Sequence, residues 1–367
     1  MAKKKNFSVP LTVFLCVLAL LLGVVLGALG AALYDAMRFQ SDEAPKTIVN
    51  GELQVHFLEL GNKYTGDCTY IKAGENDILI DAGSRADSAE TISNYINQYV
   101  TDGKLEYVIV THAHQDHYAG FAKTNGSIFD LYKVGTIIDF AKTKQTASDT
   151  NMYGRYLKER DAAVAAGATH YTAAECRQNN NYEFDLGNNI KMTILDSQYY
   201  YEVAADENDH SVCTLFTYGD YNYLFTGDLE AEGEEYLVEM NDLPEVTLYK
   251  AGHHGSVSSS SEALLEVIKP EIVCVCCCCG SPEYTKENAN QFPTQEFINR
   301  VADYTDKVYV TTLCLDYEAG TFQSMNGNIA VVTDKTGVKV ICGSGDGRVL
   351  KEWDWFKKNR ICPDKWK

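Results

Sequence analysis

The chain has 367 residues, 45% hydrophobic and 23% charged, enough for one large domain or two small ones with an ample core. Its formal net charge is −19, and an acidic surface repels polyanions, which disfavours a nonspecific nucleic-acid binder without a strong basic patch. The basic clusters are Lys3-Lys4-Lys5 and the tail around Lys357, Lys358 and Arg360.

In chain order, residues 1–8 read as a cytoplasmic N-terminus and 9–33 as a transmembrane anchor. No charge occurs from Val9 to Leu33, and about 20 apolar residues span the hydrocarbon core. Lysines in front, against Asp35, Arg38, Asp42 and Glu43 behind, keep the N-terminus inside. The competing reading is a signal peptide cleaved in the Ala-rich residues 28–32, although signal cores run only about 7–15 residues. Either way the body lies outside the cytoplasmic membrane. Residues 34–50 form a polar linker, 51–345 the main domain and 346–367 a C-terminal tail. That tail, with Trp353, Trp355, Phe356 and Trp366, either touches membrane or cell wall or packs back on the domain.

Apolar alternation and turn residues predict strands at 53–58, 69–71 and 77–83, then a helix at 88–100 from Ile92, Tyr95, Ile96 and Tyr99. A buried strand, Tyr107-Val108-Ile109-Val110, follows. Beyond it come a helix at 152–166 and strands at 190–196, 212–218 and 221–226, the last two joined around Gly219-Asp220. A helix at 230–240, a strand at 246–250, a helix at 261–268 and a strand at 272–278 alternate next. A helix at 294–304 and strands at 307–313, 328–333 and 338–342 complete the series. Strands with interposed helices imply an α/β layered domain. Cys274, Cys276, Cys277, Cys278 and Cys279 read as a buried strand using Cys as a small hydrophobe; a soft-metal site or local disulfide is the alternative.

The chemistry begins at Thr111-His112-Ala113-His114-Gln115-Asp116-His117, which holds three of the eight histidines. A strand ending in such a cluster presents imidazole nitrogens and carboxylate oxygens to one small volume, a ligand set that suits zinc, manganese or iron. Thr226-Gly227-Asp228 also ends an apolar strand, and Asp228 can bridge two ions; as a lone motif it is more often a turn. In Gly252-His253-His254-Gly255, neighbours on extended chain point opposite ways, so one imidazole can bind metal while the other faces substrate. His210, in Asn208-Asp209-His210-Ser211, is either a further ligand or a surface histidine.

These motifs, in this order and after Asp81 at the end of its strand, resemble the metallo-β-lactamase fold superfamily. Within it, Gly66-Asp67, Asn208 to Ser211 and Lys250 to Ser256 are similar to the soluble hydrolase domain of ComEC-type competence proteins and their stand-alone relatives, over residues 53–345. The resemblance implies a four-layer αββα sandwich after one N-terminal transmembrane helix, with two divalent metals, zinc or manganese, at one edge of the sheets. His112 and His114 would hold one ion, Asp116 and His117 the other. Asp228 would bridge them, His254 or His253 complete the second set, and His210 add to the first. Asp81 and Asp67 would stand behind the ligands, with Asp116 and His253 taking part in catalysis. A water between two such ions becomes a hydroxide near neutral pH.

Three departures from that pattern stand out. His210 replaces the Asn of many relatives, and Gln291-Phe292-Pro293 stands where many carry Gly-His-Pro. A single N-terminal span also cannot form a translocation channel. The implied function is a membrane-anchored, extracytoplasmic hydrolase of phosphoester or phosphodiester bonds. Its partners would be a phosphate-bearing small molecule, a cell-wall group or another extracellular substrate, with nucleic acid disfavoured by charge. An ester or amide (lactam-type) hydrolase and a non-catalytic metal-binding surface protein are the alternatives.

Overall fold

A computed structural model describes residues 51–367; the expected span at 9–33 and the linker at 34–50 lie outside the described residues. Sixteen strands among these residues form two eight-stranded sheets. In chain order they are β1 (Leu53–Phe57), β2 (Thr69–Ala73), β3 (Asn76–Ile80), β4 (Lys104–Val110), β5 (Lys133–Asp139) and β6 (Thr169–Thr172). There follow β7 (Glu183–Asp185), β8 (Ile190–Ile194), β9 (Thr214–Tyr218), β10 (Tyr221–Phe225), β11 (Leu248–Lys250) and β12 (Ile272–Cys279). The last are β13 (Val308–Asp316), β14 (Thr321–Ser324), β15 (Ile329–Asp334) and β16 (Gly337–Cys342). The first sheet runs β16-β15-β1-β2-β3-β4-β5-β6 and the second β14-β13-β12-β11-β10-β9-β8-β7.

Each sheet is antiparallel in one part and parallel in the other. Strands β3 to β6 are parallel, as are β10 to β13. Parallel neighbours need a crossover, and helices supply it: Ser88–Ile96 between β3 and β4, Met152–Ala165 between β5 and β6, and Ala231–Met240, Glu262–Ile268 and Gln295–Val301 in the second sheet. In such sheets ligands gather at the carboxyl ends of the parallel strands.

Alternation along the strands decides which side chains meet. Phe57 of β1 and Phe225 of β10 pack between the sheets with ring centroids 6.3 Å apart, while Leu224, between Tyr223 and Phe225, turns outward to the core shared with Leu237, Leu264 and Phe297 of the helices. The outer face of the first sheet is covered through His56 and Tyr70, which pack on Tyr95 and Tyr99.

Four strands have no counterpart in the sequence reading: β5, β6, β7 and β14. Of these, β6, β7 and β14 are sheet edges of three or four residues, too short and polar to show a period. β5 is interrupted by Gly135, where a Cβ would come within 2.7 Å of the Glu106 carbonyl oxygen. That glycine breaks the apolar run yet is what lets β4 and β5 approach. The cysteine strand β12 is buried along its whole length, and the cysteines of the described residues are free thiols.

The tail packs back on the domain. Leu350, Trp353, Phe356 and Trp366 join the core of Cys277, Cys279 and Val308, and the Trp366 indole donates to the Thr305 carbonyl at 2.9 Å. Among the described residues no helix is long and apolar enough to cross a membrane. Because Trp366 is only 4% exposed, Trp366→Ala should cost roughly 3 kcal/mol or more of stability, read as a lower urea midpoint; an unchanged midpoint would mean the tail is not part of the core.

Candidate metal centre

Chain ends from both sheets meet at one edge. Asp81 follows β3, His112 to His117 follow β4, Asp228 follows β10 and His254 follows β11, while Asp67 lies between β1 and β2. The edges are drawn together by a bond from the Val212 amide to the Thr111 carbonyl at 2.9 Å. Close approach requires Gly227: its φ is +55°, and a Cβ there would lie 2.8 Å from Ser211 Oγ and 2.9 Å from Thr111 Cβ.

Asp67, His117, Asp228 and His254 form a buried cluster whose ligand atoms all lie within 4.8 Å of one another. His117 Nδ1 donates to Asp81 Oδ2 at 2.7 Å, which leaves Nε2 facing Asp228 Oδ2 at 3.0 Å. Asp81 is itself fixed by the Thr111 hydroxyl at 2.7 Å and the Thr111 amide at 2.8 Å. His254 Nδ1 donates to the Cys276 carbonyl at 2.9 Å, which turns Nε2 toward Asp228 Oδ2 at 3.1 Å and Asp116 Oδ2 at 3.4 Å. A histidine tied through one nitrogen with the other aimed at a shared carboxylate has the posture of a metal ligand. Asp228 Oδ1, both Asp67 oxygens and His254 Nε2 make no well-directed hydrogen bond despite burial. Residues with such unsatisfied acceptors fit a divalent cation.

The buried carboxylates give the cluster a field that attracts positive charge. Burial opposes charge on His117, but Asp228 and Asp81 outweigh it and hold its pKa well above the usual imidazole value. For His254 burial is likewise outweighed, by Asp228 and Asp67. Burial would raise the Asp228 pKa, yet His117, His254 and Lys250 bring it well below the usual carboxylate range. Lys250 is buried with them, in ion-pair contact with Asp67 and 3.5 Å from Asp228 Oδ1.

The other sequence-derived residues take separate places. His112 Nε2 lies 3.0 Å from His114 Nδ1, and the His112 ring centroid is 4.2 Å from that of His117, so this pair adjoins the cluster. Burial, with His117 nearby, pushes the His112 pKa well down. Asp116 accepts from the Tyr284 hydroxyl at 2.8 Å. Asp67, expected behind the ligands, faces the cluster directly. His210 is not part of the four-residue cluster; its Nδ1 donates to the Tyr199 carbonyl at 3.1 Å, while its buried Nε2 has no partner.

Of the paired histidines, His254 enters the cluster and His253 lies outside it, its Nδ1 3.3 Å from Glu230 Oε1. They diverge without being extended: both sit in the left-handed region, at φ 44° and 55°, a backbone strain typical of functional sites.

The arrangement opens onto a pocket of about 670 Å³ lined by His114, Asp116, Asp228 and His253, with Arg85 and Tyr284 also on its wall. Sequence reasoning passed over Thr111, Arg85 and Tyr284. Thr111 abuts the histidine run, a signal that could have been read; Arg85 and Tyr284 carry none.

Comparison with known proteins places these motifs. The model of the metallo-beta-lactamase superfamily matches residues 61–123 and 194–279. Recombination protein 2 of Haemophilus influenzae is 28% identical over 121 residues, 33% of this chain and 14% of that protein. ComE operon protein 3 of Bacillus subtilis is 31% identical over 67 residues, 18% of this chain and 9% of its own length. The chain thus matches only a small part of either relative. Among solved structures, the metallo-beta-lactamase fold protein YhfI from Bacillus subtilis is 11% identical, with a TM-score of 0.41, over 74% of this chain and 99% of that one.

Asp81→Asn should weaken divalent-cation binding by about ten- to a hundredfold, because the imidazole of His117 loses its anchor. Competition with a chromophoric chelator reads this directly, and an unchanged affinity would remove Asp81 from the centre.

Proposed function

The chain carries a metallo-beta-lactamase superfamily domain, and on that premise we propose that it is a binuclear metal-dependent hydrolase of phosphoester or phosphodiester bonds. In this reading it is anchored by residues 9–33 and works outside the cytoplasm, within the four-layer αββα arrangement. The observation that carries the reading is the convergence of two imidazole nitrogens, His117 Nε2 and His254 Nε2, on one carboxylate oxygen of Asp228 at 3.0 and 3.1 Å. The adjoining His112 and His114 pair supports a second ion.

His112 and His114 would hold one ion, and Asp116, His117 and His254 the other, with Asp228 between them and Asp67 close by. When bound, such ions supply an acidified water that can attack at neutral pH and positive charge against a developing oxyanion. The chain's own groups do the positioning. Asp81 and the Cys276 carbonyl aim the two imidazoles, and Lys250 holds Asp67 and the second oxygen of Asp228. His253, braced by Glu230 on the pocket wall, is placed to pass a proton to the leaving group. The lysines before residue 9 and the uncharged run after them support the anchor and its orientation. The acidic charge favours a small or wall-borne phosphoester over long nucleic acid.

The test is hydrolysis of bis-p-nitrophenyl phosphate by the full-length chain with Mn²⁺ or Zn²⁺, against ester and lactam substrates. Asp116→Ala and His117→Ala should each lower turnover by about a hundredfold or more, and a chelator should abolish it. Equal background turnover in wild type and variants on all three substrates would end the enzyme reading. Protease added outside intact cells should digest residues 51–367; full protection would end the extracytoplasmic placement.

A further inference from the structure

Two cations line the pocket of this acidic chain, Arg85 and Lys144. Lys144 is exposed, its ammonium donating to the Ala205 carbonyl. Arg85 is held differently. Its guanidinium lies 3.7 Å from the centroid of the Tyr64 ring, one edge donates to the Ser84 carbonyl at 2.6 Å, and the other pairs with Glu283 at 3.2 Å. Glu283 is fixed in turn by the Thr65 amide at 2.8 Å. These bonds use only part of the five-donor fork, and the side chain remains 32% exposed.

This assembly touches the metal centre on two sides. Gln115, between His114 and Asp116, donates to the same Ser84 carbonyl at 3.4 Å. Tyr284, next to Glu283, donates to Asp116 Oδ2 at 2.8 Å. The Arg85 side chain is 32% and the Glu283 side chain 10% exposed, so the pair is half-buried at the pocket wall. What the stacking and tethering provide is a guanidinium already fixed in place, whose remaining N–H donors can meet a phosphate oxygen.

We propose that Arg85 is the anion-recognition residue of this pocket, binding a phosphate group of the substrate beside the metal centre, with Tyr64 and Glu283 as its positioning residues. The assignment deepens the phosphoesterase reading and rests on it for the bond that is cleaved. The binding of phosphate by Arg85 can be measured without turnover.

Isothermal titration of inorganic phosphate into the full-length, metal-stripped chain tests it. Arg85→Gln should weaken phosphate binding by about tenfold or more, as loss of a charged hydrogen-bond donor predicts. Arg85→Lys should keep part of the affinity, since it retains charge without the fork. Tyr64→Leu should lose less than Arg85→Gln. In metal-loaded protein Arg85→Gln should raise KM for bis-p-nitrophenyl phosphate about tenfold while kcat changes less than about threefold. Phosphate affinity equal in wild type and Arg85→Gln, with unchanged melting, overturns the proposal, as does a wild type that binds no phosphate. Should Arg85→Gln fail to fold, Arg85→Lys and Tyr64→Leu decide by the same readout. Diester hydrolysis with Arg85-independent phosphate binding sinks this inference alone. Arg85-dependent binding without phosphoester hydrolysis sinks the enzymatic reading and leaves the anion subsite standing.

Discussion

The contact on which the rest of this structure depends is the one that Asp228 makes with His117 and His254. It spans the two sheets: His117 comes from the end of β4 in one, Asp228 and His254 from the ends of β10 and β11 in the other. A buried carboxylate is costly unless paired and bonded. Asp67, Asp81 and Asp228 are all buried at this edge, so the edge is stable only with compensating positive charge. Imidazoles, Lys250 and divalent cations are the groups that can supply it, and all act through the same few atoms.

That requirement explains features which look unrelated along the chain. Gly227 lets the sheet edges close, and Thr111 fixes Asp81, which in turn fixes His117. The left-handed turn at His253 and His254 separates two adjacent imidazoles so that one joins the cluster and the other reaches the pocket. Each device spends backbone freedom or packing tolerance to hold a side chain in one orientation. Such preorganisation is what makes a polar site effective when charge develops in a reaction. On the pocket wall, Arg85 follows the same logic: stacking and two tethers leave it little to reorganise on meeting an anion.

The core serves this edge. The cysteines of β12 pack as small apolar groups, and the carbonyl of Cys276 is the anchor of His254. The tail, by filling the outer face of the second sheet with Trp353, Phe356 and Trp366, helps keep β12 and β13 in place.

Much was legible in the sequence because the periodic, apolar strands β1, β3, β4, β10 and β12 announce themselves, and because ligand-type residues stood at their ends. By itself, the sequence determined the α/β class and marked the run from His112 to His117, Asp228 and the paired histidines as candidate ligands, of which the structure gathers His117, Asp228 and His254 in one buried cluster. Only the tertiary structure decided that His254 rather than His253 enters the cluster, since that rests on backbone angles no spacing encodes. It alone set Asp67 facing the ligands, joined Lys250 to it from another sheet, and brought Arg85 and Tyr284 to the pocket. The physical reason is the same in each case. These contacts link residues remote in sequence, and their energy exists only once two sheets have folded and their edges have met.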